Sequence, residues 1–125
     1  DGVANVSTRV ADALDLEFDR GSFDAVVCAN VLHLLEQPEV ALAEFHRVLA
    51  PDGLLVVPTY CHGANSRARL LSSTMSLFSS FVAHHRFDLE SLTRLLSGCG
   101  FEMLRTRLMP GPFPIAYMAG RRRTP

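Results

Sequence analysis

The sequence predicts an α/β fold with a mainly parallel sheet that ends in an antiparallel pair of strands. Residues 23–29 and 54–57 are apolar almost throughout, which is typical of strands covered on both faces of a parallel sheet. A segment of helical periodicity separates them. The last two strand segments are joined by a short Pro-Gly-Pro loop, and a connection this short allows only antiparallel pairing. The alternation of strand and helix segments through the middle of the chain favours an α/β sheet with right-handed crossovers.

Length and composition indicate one globular domain over residues 1–125. Hydrophobic residues make up 48% of the chain and charged residues 20%, and a domain of this size buries roughly two-thirds of its unfolded surface. The net charge of -1 argues against nucleic acid or an acidic membrane surface as a partner. No apolar run reaches the roughly 18 residues of a membrane span. Three widely spaced cysteines favour reduced thiols and a cytoplasmic protein.

The first half of the chain predicts three strands and a helix. Residues 6–10 alternate with period two and predict a short strand. An acidic stretch follows, and Gly21-Ser22 predicts the turn before the strand at 23–29. Pro38 predicts the first residue of a helix, and Pro51-Asp52-Gly53 predicts its exit turn before the strand at 54–57.

The second half predicts a helix and the closing hairpin. Residues 63–84 are rich in Ser with scattered apolar side chains; they predict one or two helices, which form either a lid over an apolar substrate or ordinary packing. Asp88 predicts a helix N-cap, and Gly98 the end of that helix. Residues 101–108 and 115–120 predict strands, and residues 121–125 a polar tail.

Three stretches carry a family resemblance. Residues 10–18 read VADALDLEF, residues 22–33 read SFDAVVCANVLH, and residues 47–57 read RVLAPDGLLVV. Residues 87–89 (FDL) and 100–102 (GFE) extend the pattern. The chain resembles class I S-adenosylmethionine-dependent methyltransferases, especially those of ubiquinone and menaquinone biosynthesis. The resemblance implies a Rossmann-like fold, S-adenosylmethionine as cofactor and methyl transfer to a small, apolar molecule.

The resemblance also implies roles for five residues. Asp12 matches the acidic loop that reaches adenine, and the N–H of Ala13 reaches a ring nitrogen. Ala29 and Asn30 match the strand end beside the methionine part of the cofactor, where open α/β sheets bind ligands. His33 matches the substrate side and is the candidate catalytic residue, since an imidazole can remove a proton near neutral pH. A purely structural role stays open as the alternative for three of these residues. In that case Asp12 only caps a turn, Asn30 only bonds to a loop, and His33 only packs in the fold.

Other constellations are weaker. Cys61-His62 and His84-His85 are adjacent pairs, without the spacing of zinc ligands, so no metal site is predicted. Arg121-Arg122-Arg123 is expected to be solvated. The strand at 23–29 is not followed by an Asp/Asn-Pro-Pro-Tyr/Phe motif, which counts against methylation of nucleobase or glutamine nitrogens.

The sequence departs from the family at its N-terminal side. The family's first strand, Gly-x-Gly loop, first helix and second strand have no counterpart, so we interpret the chain as the C-terminal two-thirds of a truncated methyltransferase domain. The family sheet order is three-two-one-four-five-seven-six, and the missing strands would leave a gap of about 14 Å. We therefore expect weak cofactor binding. We also expect the exposed edge of the strand at 23–29 either to form a homodimer or to be covered by residues 6–10.

The sequence leaves two alternatives to the interpretation that the chain is part of a methyltransferase enzyme. One is a non-catalytic interaction or accessory domain with a degenerate methyltransferase fold, which an intact Gly-x-Gly loop upstream would argue against. The other is a nucleotide-binding dehydrogenase, against which the antiparallel terminal pair counts by family pattern.

Overall fold

The computed structural model describes residues 3–61 and 85–124, so the interpretation of residues 63–84 lies outside the described residues. Helices and strands alternate along the described chain until its last two elements, which are both strands. The elements are β1 (Phe23–Val27), a 3-10 turn (Leu32–Leu34), α1 (Pro38–Val48), β2 (Leu49–Tyr60), α2 (Leu89–Gly98), β3 (Phe101–Met109) and β4 (Ile115–Arg122).

The strands form one four-stranded sheet in the order β1-β2-β4-β3. β1 pairs parallel with β2, and Val26 lies opposite Leu55. β2 and β3 both pair antiparallel with β4. This confirms the neighbouring parallel strands and the closing antiparallel pair, and it reproduces the order four-five-seven-six that the family resemblance implies. The described sheet is mixed rather than mainly parallel, because only β1-α1-β2 forms a parallel crossover unit within it.

Both helices begin where the sequence predicts. α1 has Pro38 in its first turn and buries Leu42 and Phe45. α2 is preceded by a capping box, in which the Ser91 N–H donates to Asp88 Oδ1 at 2.7 Å and the Asp88 N–H donates to Ser91 Oγ at 3.1 Å. These bonds satisfy amide groups that the helix itself leaves unpaired.

The core lies on one face of the sheet. Alternate residues of β2 (Leu55, Val57 and Thr59) are fully buried, because side chains on a strand point alternately to its two faces. Buried side chains of both helices join this core. On the other face Val27 is 66% exposed, Tyr60 43% and Leu54 39%. Among the described residues, no helix is long and apolar enough to cross a membrane.

The structure contradicts two sequence predictions, the strand at residues 6–10 and the turn at residues 51–53 between α1 and β2. Residues 6–10 are irregular, and Val6 and Val10 are exposed. A strand needs a hydrogen-bonding neighbour, and this segment has none in the described sheet, so it does not cover the edge of β1. The predicted exit turn instead lies inside β2: the pairing jumps from Phe23–Leu49 to Ala25–Leu54, and Asp52 adopts a left-handed φ of 60°.

The predicted polar tail begins too early in the sequence. β4 continues to Arg122, whose side chain is buried. Its guanidinium donates to the carbonyl of Leu49, at the start of β2. The sequence run of three arginines therefore contains one that packs inside the fold.

Candidate functional site

The candidate site lies at the carboxyl ends of β1 and β2. Hydrogen bonding between the two strands continues beyond the last residue of β1: the Cys28 N–H donates to the Val56 carbonyl and the Asn30 N–H donates to the Pro58 carbonyl, both at 2.9 Å. The two strand ends are therefore held side by side as far as Asn30. In open α/β sheets, this edge is where ligands bind.

Asn30 changes the direction of the chain at this edge. Its φ is 55°, a left-handed conformation that Asn tolerates better than most residues. Its side-chain Oδ1 accepts a hydrogen bond from the Tyr60 N–H at 3.2 Å. The side chain thus ties β1 to β2, which is a structural role. Contact of Asn30 and the neighbouring exposed Ala29 with the cofactor stays a prediction.

His33 lies in the 3-10 turn directly after this edge. The preceding Leu32 is fully buried and anchors the turn. His33 Nδ1 lies 3.5 Å from the hydroxyl Oγ1 of Thr59, and the His33 carbonyl accepts from the His85 N–H at 3.1 Å. The imidazole is half-buried beside the end of β2. Its role as the catalytic residue stays a prediction.

Sequence reasoning missed Thr59 and His85. Thr59 lies two residues beyond the apolar run of β2 and continues its period-two pattern, a signal that places it on the buried face. His85 bonds the Glu36 carbonyl through Nε2 at 3.1 Å and stacks on Phe87 at a ring distance of 5.6 Å. Because its hydrogen bonds to the carbonyls of His33 and Glu36 join distant parts of the chain, no local pattern could have shown them.

Asp12 forms a turn of its own. Its Oδ1 accepts from the Leu14 N–H at 2.9 Å, and its carbonyl accepts from the Asp15 N–H at 3.2 Å. Asp12 therefore caps a turn, which is the structural alternative that the sequence left open for it. The neighbouring Ala13 packs partly against the core, and contact of Asp12 and Ala13 with adenine stays a prediction.

A charged pair on α1 fixes the segment that follows this turn. Glu44 Oε2 accepts from the Leu16 N–H at 2.9 Å, while Arg47 donates to the carbonyls of Leu16 and Phe18 at 2.6 and 2.7 Å. Arg47 also donates to both Glu44 oxygens. These bonds, first those from Arg47 and then that from Leu16, lower the pKa of Glu44 from 4.5 to about 2. Residues 16–18 are thereby held against α1.

The thiols near the site are poor nucleophiles. Burial raises the pKa of Cys28 to about 11 and also raises that of Cys61, so both remain protonated near neutral pH. In residues 3–61 and 85–124, no three His, Cys, Asp or Glu side chains come together as metal ligands. Gly98-Cys99-Gly100 runs from the last residue of α2 to the turn before β3, so it is not the loop between a strand and a helix that a glycine-rich cofactor motif requires.

Comparison with known proteins agrees with this architecture. Residues 1–57 match the family described as Methyltransferase domain. The chain is 33% identical over 104 residues to a demethylmenaquinone methyltransferase of Clavibacter sepedonicus, which covers 82% of the chain and 39% of the relative. It is 47% identical over 91 residues to a malonyl-[acyl-carrier protein] O-methyltransferase of Laribacter hongkongensis, covering 73% of the chain and 30% of that relative.

A solved structure shows the same fold. The 1,6-didemethyltoxoflavin-N1-methyltransferase of Burkholderia thailandensis superposes with a TM-score of 0.72 at 17% identity, over 91% of the chain and 49% of that protein. That structure contains S-adenosylhomocysteine. The chain has the fold of class I S-adenosylmethionine-dependent methyltransferases, and its first 57 residues match their domain family. This methyltransferase domain spans about a third of the length of the two relatives above, 39% and 30%.

S-adenosylmethionine is the cofactor of the family, and the described residues fit one part of it. The exposed Asp12 carboxylate has the chemistry to accept from the exocyclic amino group of adenine, and the Ala13 N–H to donate to a ring nitrogen. Asn30 places a polar side chain at the strand edge. The described residues contain no glycine loop between a strand and a helix N-terminus, the arrangement that would suit the carboxylate end of the cofactor.

Proposed function

We propose that this methyltransferase domain serves methyl transfer from S-adenosylmethionine to a small, apolar molecule. The observation that supports the proposal is the edge at which β1 and β2 end together, with Asn30 between them and His33 directly after it. Methyl transfer depends mainly on holding the acceptor in line with the methyl group. A strand edge fixed by backbone hydrogen bonds suits that requirement.

The proposed roles follow the position of each residue. Asp12 and Ala13 bind the adenine, Ala29 and Asn30 lie beside the methionine part, and His33 faces the acceptor. When bound, the cofactor supplies an electrophilic methyl group on a sulfonium. The protein's contribution is to orient the acceptor and to bond its polar atoms through His33.

The names of the relatives indicate the kind of acceptor. One acts on demethylmenaquinone and the other on a malonyl group carried by an acyl carrier protein. We propose an acceptor of this size range, with an apolar part and an oxygen or carbon nucleophile.

Titration with S-adenosylhomocysteine, followed by backbone amide NMR, tests the cofactor site even when binding is weak. We expect shift changes centred on Asp12, Ala13, Ala29 and Asn30. Asp12→Ala should weaken binding about tenfold, because it removes a charge-assisted hydrogen bond of about 1.5 kcal/mol. Asp15→Ala is the matched control and should bind as the unaltered protein does. Shift changes confined to another part of the chain, or no response at millimolar ligand, would contradict the proposed site.

We also propose that the free edge of β1 pairs with a second copy of the chain. β1 is an outer strand of the described sheet, and Val27 on it is 66% exposed; such edges tend to pair with other strands. Sedimentation velocity should show a dimer that Val27→Lys weakens. A monomer over the whole concentration range would rule this pairing out.

A further inference from the structure

We propose that Arg47 and Glu44 of α1 are positioning residues for the cofactor, because they orient the turn of residues 12–15 that carries the adenine-binding groups. The inference rests on the proposed function, since it takes Asp12 and Ala13 as the residues that contact adenine. Its starting point is that both charged side chains bond the backbone at Leu16, directly after this turn.

The segment that contains the turn has no strand to hold it. Residues 10–18 pair with none of the four strands of the described sheet, and Asp12 and Asp15 form an isolated bridge with each other. Ala13, Leu14 and Leu16 pack partly against the core. Because apolar contact is non-directional, this packing brings the segment to the core without fixing its orientation. Hydrogen bonds to the backbone have to supply the direction.

The pair on α1 supplies these directional bonds. Glu44 Oε2 accepts from the Leu16 N–H at 2.9 Å, and Arg47 donates to the carbonyls of Leu16 and Phe18 at 2.6 and 2.7 Å. Arg47 also donates to both carboxylate oxygens of Glu44, at 2.9 and 2.8 Å, and a two-point pair of this kind has a defined geometry. The N–H and the carbonyl of Leu16 are therefore both fixed relative to α1.

The orientation of Leu16 passes to the turn before it. The Asp15 N–H donates to the Asp12 carbonyl at 3.2 Å, and the Leu14 N–H donates to Asp12 Oδ1 at 2.9 Å. These two bonds close the turn, so it moves as one unit with Leu16. Asp12 is exposed and uses Oδ1 within the turn, which leaves Oδ2 to accept from the amino group of adenine. The bonds from α1 thereby decide where Oδ2 lies.

The ion pair of α2 shows what a pair without this role looks like. Arg94 and Glu90 lie 3.7 Å apart, and both side chains are exposed. Exposed pairs of this kind contribute little to stability. The pair on α1 is partly buried, and its bonds reach a segment 28 to 31 positions away. This difference makes Arg94 the matched control for Arg47.

The preference for adenosine over inosine measures the placement of the adenine contacts. Inosine presents an oxygen where adenosine has its amino group, and it has a proton on the ring nitrogen that the Ala13 N–H would bond. Amide NMR titration with each nucleoside should therefore show that the unaltered protein prefers adenosine by roughly tenfold, the equivalent of one charge-assisted hydrogen bond. Both probes are uncharged, so a change of charge in a variant does not by itself alter this preference.

Arg47→Ala should reduce the preference to about twofold, whereas Arg94→Ala should leave it unchanged. A purely stabilising role of Arg47 would weaken the binding of both nucleosides equally and keep the preference. Arg47→Lys keeps the charge but lacks the planar fork that bonds Glu44 and two carbonyls at once, so it should also lose preference. It replaces Arg47→Ala in the test if urea unfolding shows that the alanine variant is not folded.

A double variant tests whether Arg47 acts through the turn. Asp12→Ala should itself abolish most of the preference, and adding Arg47→Ala to it should reduce the preference no further. Independent losses that multiply in the double variant would contradict the proposal. A preference that persists in both Arg47 variants would overturn it while leaving the proposed adenine site intact. An unaltered protein without any preference would instead contradict the adenine contacts of the proposed function.

Amide NMR without ligand tests the positioning step by itself. Arg47→Lys should shift the amide signals of Ala13 and Leu14 in the turn. It should leave the signals of Cys28 and Asn30 unchanged, because their N–H groups bond β2. Unchanged signals in the turn would show that α1 does not orient it and would overturn the proposal.

Discussion

Asn30 Oδ1 accepts a hydrogen bond from the backbone N–H of Tyr60 at 3.2 Å, and this bond joins the carboxyl ends of β1 and β2. The residue making it has a left-handed φ of 55°. One side chain therefore both turns the chain out of β1 and keeps the neighbouring strand end beside it. The edge at which we place the cofactor and the acceptor depends on this arrangement.

Replacing Asn30 should separate its two contributions. Asn30→Ala loses the bond to Tyr60 and places a side chain with a Cβ but no polar group at positive φ, so we expect a loss of about 2 kcal/mol in the free energy of unfolding. Asn30→Gly loses the bond but relieves the backbone, and about half of that loss is expected. Urea unfolding measures both. Equal losses in the two variants would show that backbone conformation contributes nothing.

The capping box of α2 can be tested with a matched pair of variants. Asp88→Ala removes the side chain that accepts from the Ser91 N–H, and the expected cost is about 1 kcal/mol in the free energy of unfolding. Asp88→Asn keeps an acceptor in the same place and should cost less. Urea unfolding of both variants checks this, and an Asp88→Asn protein as unstable as Asp88→Ala would mean that charge, rather than the cap, stabilises the helix.

Glu44 should make the free energy of unfolding depend on pH in the acidic range. Its pKa is about 2 in the folded protein against 4.5 as the ordinary value, so the unfolded chain binds a proton at higher pH than the folded one. The free energy of unfolding contributed by this carboxylate is therefore present above pH 4.5 and is lost as the pH falls toward 2. Urea unfolding across this range measures the loss.

Glu44→Gln should remove this part of the pH dependence. It should also lower stability at neutral pH, because the amide replaces the charged partner of Arg47. Glu17→Gln, which changes an exposed carboxylate in the neighbouring segment, is the control and should leave the slope unchanged. A slope that persists in Glu44→Gln would assign the acid sensitivity to other groups.

Gly100 turns the chain from α2 into β3 and should not tolerate a side chain. Its φ is +91°, and a Cβ would lie 3.1 Å from His46 Nε2. We expect Gly100→Ala to lower the free energy of unfolding by about 1–2 kcal/mol, through the backbone strain of a left-handed residue.

Gly98→Ala is the matched control for this site. A Cβ at Gly98 meets no atom within 4 Å, and alanine favours the helix over glycine. Its stability in urea should therefore equal or exceed that of the unaltered protein. The explanation from φ and His46 fails if the two alanine variants are equally stable.

Local signals in the sequence are sufficient for the main elements. The apolar runs predict β1 and the buried part of β2, Pro38 marks the start of α1, and Asp88 marks the start of α2. Each signal lies within a few residues of the structure that it specifies, since a cap, a turn or a buried strand has a local physical cause. The order of the strands followed from the family resemblance.

The tertiary structure alone decided the contacts between distant residues. Residues 6–10 alternate like a strand, yet they have no neighbour to bond in the described sheet. Arg122 looks solvated in a run of arginines, yet the register of β4 places it inside the fold. Thr59 meets His33, and Asn30 meets Tyr60, across 26 and 30 positions of sequence. These pairings depend on which strands are neighbours and in what register, and sequence periodicity does not specify either, because it describes one segment at a time.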